Sequence, residues 1–526
     1  MKNLKNYLFA LLTLVFITAC DEDKNLIQEQ LDQNPLPPSP SGDAGNLDLT
    51  KYVSIGNSIA AGYQDRALYD NAQINAFPTY LANQFKISGI GGGDFNQPDI
   101  NSANGYSSPG GPTGILGRYE LSLSQRRPVP TAGELPTAFG GDKAALNNFA
   151  VPGMKLIDAS DPSLAIRNPL YGRFASSPGV SSVLGDVLAA NPSFFTFELG
   201  TNDVLGYATN GGLDEADITD PATFQASLTN TLGALVASGA EGIVVHVPMI
   251  ITDPFFRAVP YNAVPVTSQA LADQLNGAFA GLNQVLDGLA ANQLISPEEA
   301  AKRKVVYAVG ANPILMYDDA LEDLGPKFDL LGLPPATRAA LQPFVQSRPA
   351  VNGDLVLLTA ATEIGREIIP GNPTILSGIS YPIGDAFLLT QIEWTNVVTA
   401  RATYNGIIAG VVAGLNANAG ATVLAQYDVN VIMTDLSGLS TAQATQLGHT
   451  AAAIAAADGI LGIEEKGVNL APDFSPNGVF STDGIHPNPR GQGLLANGII
   501  GVMNSVFGAT IPQMNVLALR AILATE

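Results

Sequence analysis

The sequence predicts an α/β protein with a parallel central sheet, because strand, helix and strand patterns follow one another in the middle of the chain. Phe194–Leu199 is an apolar run that ends at Gly200, and Ile243–Val245 is a second short apolar run. Between them, apolar side chains recur at three- and four-residue spacing over Phe224–Val236, which is typical of a helix. A helix that connects two neighbouring strands leaves those strands parallel.

Other segments extend this framework at both ends. Tyr52–Ile55 is a predicted first strand that stops at Gly56, and Val429–Met433 is predicted as a further strand. Leu494–Val506 is predicted to form a closing helix. The chain shows no repeat with a period of 20 to 50 residues, so we do not expect a repeat array.

Two long stretches do not fit a minimal sheet and are predicted to be insertions, near residues 64–146 and 251–425. The first is rich in Gly, Pro, Ser and Asn. The second contains helical patterns at Ser268–Leu294 and around Leu388–Leu415, with a strand-like Lys304–Val309 between them.

The N-terminus carries the features of a lipoprotein signal peptide at residues 1–19. Lys2 and Lys5 precede an apolar run, Tyr7–Ile17, which is short for a membrane span. The run ends in Ile17-Thr18-Ala19-Cys20, which resembles a bacterial lipobox with Ile in place of the usual Leu. Cys20 is the only cysteine of the chain, so no internal disulfide can form, and we expect Cys20 to be lipidated.

Residues 20–48 are predicted to be a flexible tether, since they are polar, rich in Pro and without apolar periodicity. Residues 49–510 would form the folded domain with its insertions, and 511–526 a C-terminal tail. The acidic run Asp21–Asp23 resembles a surface-export signal of some Gram-negative lipoproteins. We therefore expect a lipid-anchored protein of the bacterial cell envelope, at the outer membrane. The formal net charge of -22 argues against nucleic-acid partners.

The catalytic chemistry is best approached through the histidines, of which the chain has only three. His246 lies inside an apolar strand and is predicted to be a buried core residue, whereas His449 lies in a polar stretch and is predicted to be at the surface. His486 follows Asp483 by three residues in a Pro-containing loop, so its Nδ1–H can turn back to that carboxylate. A serine hydroxyl needs such a base to become a nucleophile, and Ser58 directly follows the first strand and its turn.

Four segments, in this order, resemble the conserved blocks of the SGNH/GDSL family of serine esterases and lipases. They are Tyr52–Gly62, Asn147–Gly153, Glu198–Asp203 and Asp483–Pro487. The chain departs from the family in the first block, where Gly56-Asn57-Ser58 replaces the usual Gly-Asp-Ser. In the family that Asp orients the turn and is not the acid of the triad, so we expect activity to survive the change.

The resemblance implies a three-layer α/β/α fold of the flavodoxin-like kind and hydrolysis of carboxylic esters. It also implies a catalytic triad of Ser58, Asp483 and His486, and an oxyanion hole made by the backbone N–H groups of Ser58 and Gly153 with the side-chain amide of Asn202. Taken singly, Gly153 and Asn202 could equally be turn residues. No cofactor is implied, and the substrate would be a lipid, glycan or other small acyl ester.

The same residues bear on two alternative functions and on a metal site. An α/β-hydrolase would need a Gly-x-Ser-x-Gly turn after a strand, and the sequence contains none. A catalytically silent surface lipoprotein that keeps the fold and binds glycans or lipids remains the alternative of a different class. No metal site is predicted, since there is no paired-His motif and the acidic clusters Asp214–Asp220 and Asp318–Asp323 are interpreted as solvated faces.

Overall fold

A computed structural model describes residues 40–108, 114–125 and 127–525 of the chain. The predicted signal peptide, Cys20 and most of the predicted tether lie outside the described residues. Within the described ranges, no helix is both long enough and apolar enough to cross a membrane.

The described residues form the following β-strands and α-helices. The strands are β1 Tyr52–Gly56, β2 Leu116–Ser122, β3 Arg127–Ala132, β4 Phe194–Glu198, β5 Glu241–Val245, β6 Val264–Val266, β7 Gly310–Asn312, β8 Leu315–Tyr317, β9 Ser347–Pro349, β10 Leu355–Val356, β11 Leu388–Leu389, β12 Leu424–Tyr427, β13 Ile463–Glu465, β14 Val468–Leu470 and β15 Ala524–Thr525. The α-helices are α1 Ser58–Ala61, α2 Asp70–Gln73, α3 Phe77–Phe85, α4 Leu164–Arg167, α5 Pro169–Gly172, α6 Val183–Ala189, α7 Asn202–Thr209, α8 Pro221–Ala237, α9 Pro254–Arg257, α10 Gln269–Ala291, α11 Pro297–Arg303, α12 Gly325–Leu330, α13 Pro335–Leu341, α14 Gln391–Ala419, α15 Asn430–Leu436, α16 Thr441–Gln446, α17 Ala451–Ala455 and α18 Pro489–Phe507.

The central sheet is parallel, as the sequence predicted, and its strand order is β1-β4-β5-β12. A further extended stretch runs beside the free edge of β1. There the N–H of Ser54 donates to the carbonyl of Asn147 at 2.8 Å, and the N–H of Val151 donates to the carbonyl of Gly56 at 2.9 Å. The segment Asn147–Gly153 is therefore fixed next to the end of the strand that precedes Ser58.

Helices cover both faces of this sheet, because successive strand side chains point to opposite sides. On one face, Val53 and Phe197 belong to a buried cluster that includes Phe224 of α8 and Tyr404 of α14. On the other face, Tyr52 and other strand residues pack with residues of α3 and α18 in a second cluster (Phe194, Ile243, Phe77, Phe85, Ile499). The molecule thus has helix, sheet and helix layers around a parallel sheet.

The longer insertion has its own apolar core, separate from the two clusters that cover the sheet. Its buried residues run from Val264 to Leu388 and include Phe279 and Leu286 of α10. Helix α10 is the one predicted from Ser268–Leu294, and the hydroxyl of Ser268 caps it by accepting the N–H of Leu271.

The segment predicted as a C-terminal tail is packed against the rest of the molecule, which the prediction did not include. Ile511 and Val516 are buried. Asn504, on α18, binds both the N–H and the carbonyl of Ile511, each at 2.9 Å. Strand β15 then pairs with β2 of the first insertion.

Two strand predictions were wrong. Val429–Met433 does not form a strand: the strand lies just before it, at Leu424–Tyr427, and Asn430–Leu436 is helix α15. The carboxylate of Asp428 accepts the N–H of Asn430 at 3.1 Å and so starts the helix. This local hydrogen bond from the residue before the N-cap favours a helical start over the β propensity of the Val and Ile residues that follow.

Lys304–Val309 is the second wrong prediction, because it pairs with a helix instead of a strand. The side chain of Asn283 donates to the carbonyl of Val305 at 2.8 Å and accepts its N–H at 3.0 Å. Asn276 does the same for Tyr307, at 2.9 and 2.8 Å. Since both asparagines lie seven residues apart on one face of α10, the alternating pattern is satisfied without a sheet.

Candidate active site

Ser58 is the first residue of helix α1 and lies immediately after the carboxyl end of β1. The side chain of Asn57 caps this helix by accepting the N–H of Ile59 at 3.0 Å. At Gly56 a Cβ atom would lie 2.6 Å from the Cβ of Ala60, so glycine is required for the turn to close this tightly. These contacts fix the direction in which the Ser58 side chain leaves the strand.

Glu198 anchors the same turn from the neighbouring strand, and sequence reasoning did not give it a role. Its Oε1 accepts the side-chain N–H of Asn57 at 2.9 Å, and its carbonyl accepts the backbone N–H of Asn57 at 3.1 Å. Burial raises the pKa of Glu198 to about 8 against the partly opposing hydrogen bonds from Asn57. The sequence feature that could have indicated this role is a charged residue at the end of a mostly apolar strand.

The predicted triad residues are brought together as a continuous hydrogen-bonded chain. The Nε2 atom of His486 lies 2.8 Å from the Oγ of Ser58. Its Nδ1 atom lies 2.9 Å from Oδ2 of Asp483. All three side chains are buried, with exposed fractions of 7% for Ser58 and Asp483 and 9% for His486. In this arrangement His486 can take the Ser58 proton while Asp483 orients its ring.

Asp483 is held as a carboxylate by a dense set of donors. Burial alone would raise its pKa, but the charge of protonated His486 and hydrogen bonds from His486 and Ile485 hold the pKa well below the usual range. The two backbone N–H groups of Ile485 and His486 both donate to Oδ1 at 2.9 Å. The N–H of Arg66, in the first insertion, donates to Oδ2 at 3.0 Å.

Both insertions contact the loop that carries Asp483 and His486. Asp65 of the first insertion accepts the N–H and the hydroxyl of Thr482, at 2.9 and 2.8 Å. On the other side, the N–H of Phe255 in α9 donates to the carbonyl of Gly484 at 2.9 Å. The insertions therefore position the loop that carries Asp483 and His486, a role that could not be deduced from their sequences.

The residues proposed for the oxyanion hole lie together beside this chain. Gly153 follows the stretch that pairs with β1, and its φ of 80° lies in the left-handed region that favours glycine. The side-chain amide of Asn202 donates to the carbonyl of Met154 at 3.0 Å, and Oδ2 of Asp203 accepts the N–H of Leu156 at 2.9 Å. An amide nitrogen has two hydrogens, so Asn202 keeps one for a substrate oxygen.

The other two histidines are both buried. His246, with an exposed fraction of 8%, is the core residue that the sequence predicted, and its Nε2 lies 2.9 Å from the side-chain oxygen of Gln426. The prediction that His449 is at the surface was wrong. It is 7% exposed and bonds the hydroxyl of Thr434 at 2.9 Å, and burial together with the charge of Arg401 lowers its pKa to about 4.

The interpretation of Asp318–Asp323 as a solvated face was also wrong at its first residue. Asp318 is 3% exposed and pairs with Arg348 at 2.5 Å, and the same guanidinium binds Asp354 at 2.6 Å. The pairing offsets the cost of burying both charges. Asp319, the next residue, is exposed but faces two buried carboxylates, which are described below.

An apolar cavity lies next to the triad without including it. The cavity has a volume of about 80 Å³, and its wall includes Ile59, Ile485 and Pro487, which are sequence neighbours of Ser58 and His486. The carboxyl groups of Glu198 and Asp253 border the same space. Burial, followed by the charge of Asp483, raises the pKa of Asp253 well above its usual value.

Comparisons of the chain with protein family models, with curated proteins and with solved structures find no match. The site itself consists of a buried serine, histidine and aspartate in a hydrogen-bonded chain, at the carboxyl edge of a parallel sheet.

Proposed function

We propose that the protein is a serine hydrolase of carboxylic esters, of the SGNH/GDSL type with its flavodoxin-like three-layer fold. The observation that carries the proposal is the hydrogen-bonded chain from Ser58 through His486 to Asp483, with distances of 2.8 and 2.9 Å. A hydroxyl that is 2.8 Å from a histidine nitrogen has a base in place to accept its proton.

The proposed reaction begins when the Oγ of Ser58 attacks the ester carbonyl and its proton passes to Nε2 of His486. Asp483 stabilises the imidazolium through Nδ1–H. The negative charge that develops on the carbonyl oxygen would be bound by the N–H groups of Ser58 and Gly153 and by the amide of Asn202. His486 then protonates the leaving alcohol, and water releases the acid from the acyl-enzyme by the same steps.

The formal net charge of -22 favours a neutral or weakly charged ester as the substrate, since an acidic protein repels anionic ligands. Lipid esters and acetylated glycans both meet this condition. In the proposal the protein acts at the bacterial cell envelope, held to the outer membrane by lipid on Cys20, with no nucleic-acid partner.

The test is a chain-length series of p-nitrophenyl esters, run beside a panel of acetylated polysaccharides. We expect hydrolysis by the wild type and a loss of about 10³-fold or more in kcat/KM for both Ser58→Ala and His486→Ala, with unchanged thermal midpoints. Near wild-type turnover by Ser58→Ala would show that this serine is not the nucleophile. Binding of a glycan without turnover would favour the silent surface lipoprotein instead.

A further inference from the structure

A cluster of three carboxylates lies away from the triad, where the longer insertion meets the sheet-covering helices. Asp319 follows β8, Asp385 precedes β11, and Glu393 lies in the first turn of α14. One carboxylate oxygen from each residue lies within 4.8 Å of the other two. These residues come from three separate segments, so the fold, and not local sequence, brings them together.

Asp385 is the member of the cluster that needs an explanation. Its exposed fraction is 6%, and within the described part of the chain neither of its carboxylate oxygens has a hydrogen-bond partner. A buried carboxylate without donors is costly, and such groups are normally paired or bound to a metal ion. The side chain points at Asp319 and Glu393, which bring more negative charge and no donors.

The surrounding charges do not relieve this cost. Arg348 is already engaged by Asp318 and Asp354. A bound cation would remove the repulsion that these carboxylates exert on one another.

The core contributes backbone close to the same point. A Cβ atom at Gly211 would lie 2.4 Å from the carbonyl oxygen of Asp385, and one at Gly212 would lie 2.6 Å from Cγ of Glu393. This loop follows helix α7, whose first residue is Asn202. The loop after α7 is therefore packed directly against the segments that carry Asp385 and Glu393.

We propose that Asp319, Asp385 and Glu393 form a calcium site that holds together three segments of the longer insertion: the end of β8, the start of β11 and the first turn of α14. Carboxylate and carbonyl oxygens are the ligands that Ca²⁺ prefers, and the cluster offers no nitrogen or sulfur ligand of the kind that zinc selects. Three carboxylates supply part of the six to eight oxygens that Ca²⁺ takes, and carbonyls and water complete such sites in general. The site does not depend on the proposed esterase activity.

The experiment uses the full-length mature chain, stripped with EDTA and then titrated with CaCl₂ while heat and thermal midpoint are recorded. We expect one Ca²⁺ per chain and a midpoint that rises with Ca²⁺ concentration, as for any ligand that binds only the folded state. Asp385→Asn should abolish both responses. Asp323→Asn, the same change at an exposed residue outside the cluster, should leave both intact, as should Ser58→Ala.

If Asp385→Asn does not fold, Asp319→Asn serves instead, since Asp319 is exposed and its loss opens no cavity. It should weaken Ca²⁺ binding measurably, while the EDTA-treated protein keeps its fold and becomes somewhat more stable, because one of the mutually repelling charges is gone. The proposal is overturned if millimolar CaCl₂ gives neither heat nor a midpoint shift in the wild type. It is equally overturned if both responses survive in Asp385→Asn, or if that variant merely stabilises the EDTA-treated chain and the wild type ignores Ca²⁺, because Asp385 would then simply hold a proton.

Discussion

Asn57 carries two tasks at once, since its oxygen caps helix α1 and its nitrogen binds Glu198. An aspartate at position 57 could accept the N–H of Ile59 but would have no side-chain N–H for Glu198. An asparagine therefore suits both hydrogen bonds of this turn. It also leaves the direction of Ser58 fixed from both sides of the turn.

Asn202 tests the oxyanion hole. A donor that acts mainly on the transition state changes kcat far more than KM. Asn202→Ala should lower kcat about 10²- to 10³-fold, with KM and thermal midpoint nearly unchanged. Asn202→Asp should be at least as harmful, because it places negative charge against the developing oxyanion. A change in KM alone, or general unfolding, would mean that Asn202 only closes the turn to Met154.

The raised pKa of Glu198 predicts that the stability of the protein depends on pH. Its pKa is about 8 in the folded chain, against an ordinary value of 4.5, so folding favours the protonated form. This contribution to the free energy of unfolding is fully present below about pH 4.5 and is lost as the pH rises towards about 8. Glu198→Gln cannot ionise, so its urea midpoint should fall less than that of the wild type between pH 5 and 8.

The matched control for Glu198 is Glu464→Gln, at an exposed position, which should follow the wild type across the same pH range. The slope expected for a single proton is at most about 1.4 kcal/mol per pH unit. Parallel pH profiles for Glu198→Gln and the wild type would contradict the assigned shift.

Single residues with a fixed local spacing were the most predictable part of the site. Asp483 and His486 lie three residues apart in a loop, so their contact depends on a short piece of chain. Glu198 and Asp65 act through neighbours that are distant in sequence, which no local pattern reveals. The burial of His449 was mispredicted for the same reason, because Thr434 and Arg401, which lie beside it in the folded chain, are distant from it in sequence.

At the scale of elements, asparagines on helices replace strand partners repeatedly. Asn276 and Asn283 bind the extended segment after α11, and Asn405 binds both backbone groups of Val247, at 2.8 and 3.0 Å. An extended segment that is satisfied in this way has the alternating pattern of a strand but lies outside any sheet. Periodicity alone therefore predicted a strand-like segment where the structure has no strand, because the partner of the segment is a helix.

A substitution at Gly484 tests the contact between helix α9 and the loop that carries Asp483 and His486. Its φ is 75°, and a Cβ atom there would lie 2.8 Å from the N atom of Phe255. Gly484→Ala should push the loop away from α9, lower kcat/KM and destabilise the fold. Gly459→Ala is the matched control, since φ is 77° there and nothing lies within 4 Å of the added atom.

The control should show only the cost of a left-handed alanine, about 1–2 kcal/mol, with activity retained. The two variants are compared by urea unfolding and by ester hydrolysis. Equal effects of the two substitutions on both measurements would mean that the contact with Phe255 does not position the catalytic loop.

At the scale of the whole molecule, the parallel sheet followed from the sequence because β1, β4 and β5 have strong apolar patterns and a helical pattern connects β4 to β5, whereas β12 was predicted a few residues too late. The two long helices of the longer insertion were also predicted, but its packing was not, since its core is built from residues scattered between Val264 and Leu388. The positions of the two insertions on either side of the catalytic loop arise from long-range contacts. The substrate class is limited by these same segments, so it has to be found by experiment.

The proposed anchor also belongs to the whole molecule, and it concerns Cys20, outside the described residues. Cys20→Ser should release the protein from the membrane fraction or block its processing, because a thiol is required for lipid attachment. Fractionation of cells that express the full chain measures this, with Ser58→Ala as a control that should remain with the membrane. Unchanged membrane association of Cys20→Ser would contradict the anchor.

The most direct test of the central claim, that Ser58 is a nucleophile activated by His486, is labelling of the purified protein with a fluorophosphonate. Only an activated serine reacts readily with such a probe. We expect one adduct per wild-type chain, mapped by mass spectrometry to Ser58, no adduct in Ser58→Ala, and labelling slowed by about 10³-fold or more in His486→Ala. A folded wild-type chain that stays unlabelled, or an adduct on another residue, would contradict the account.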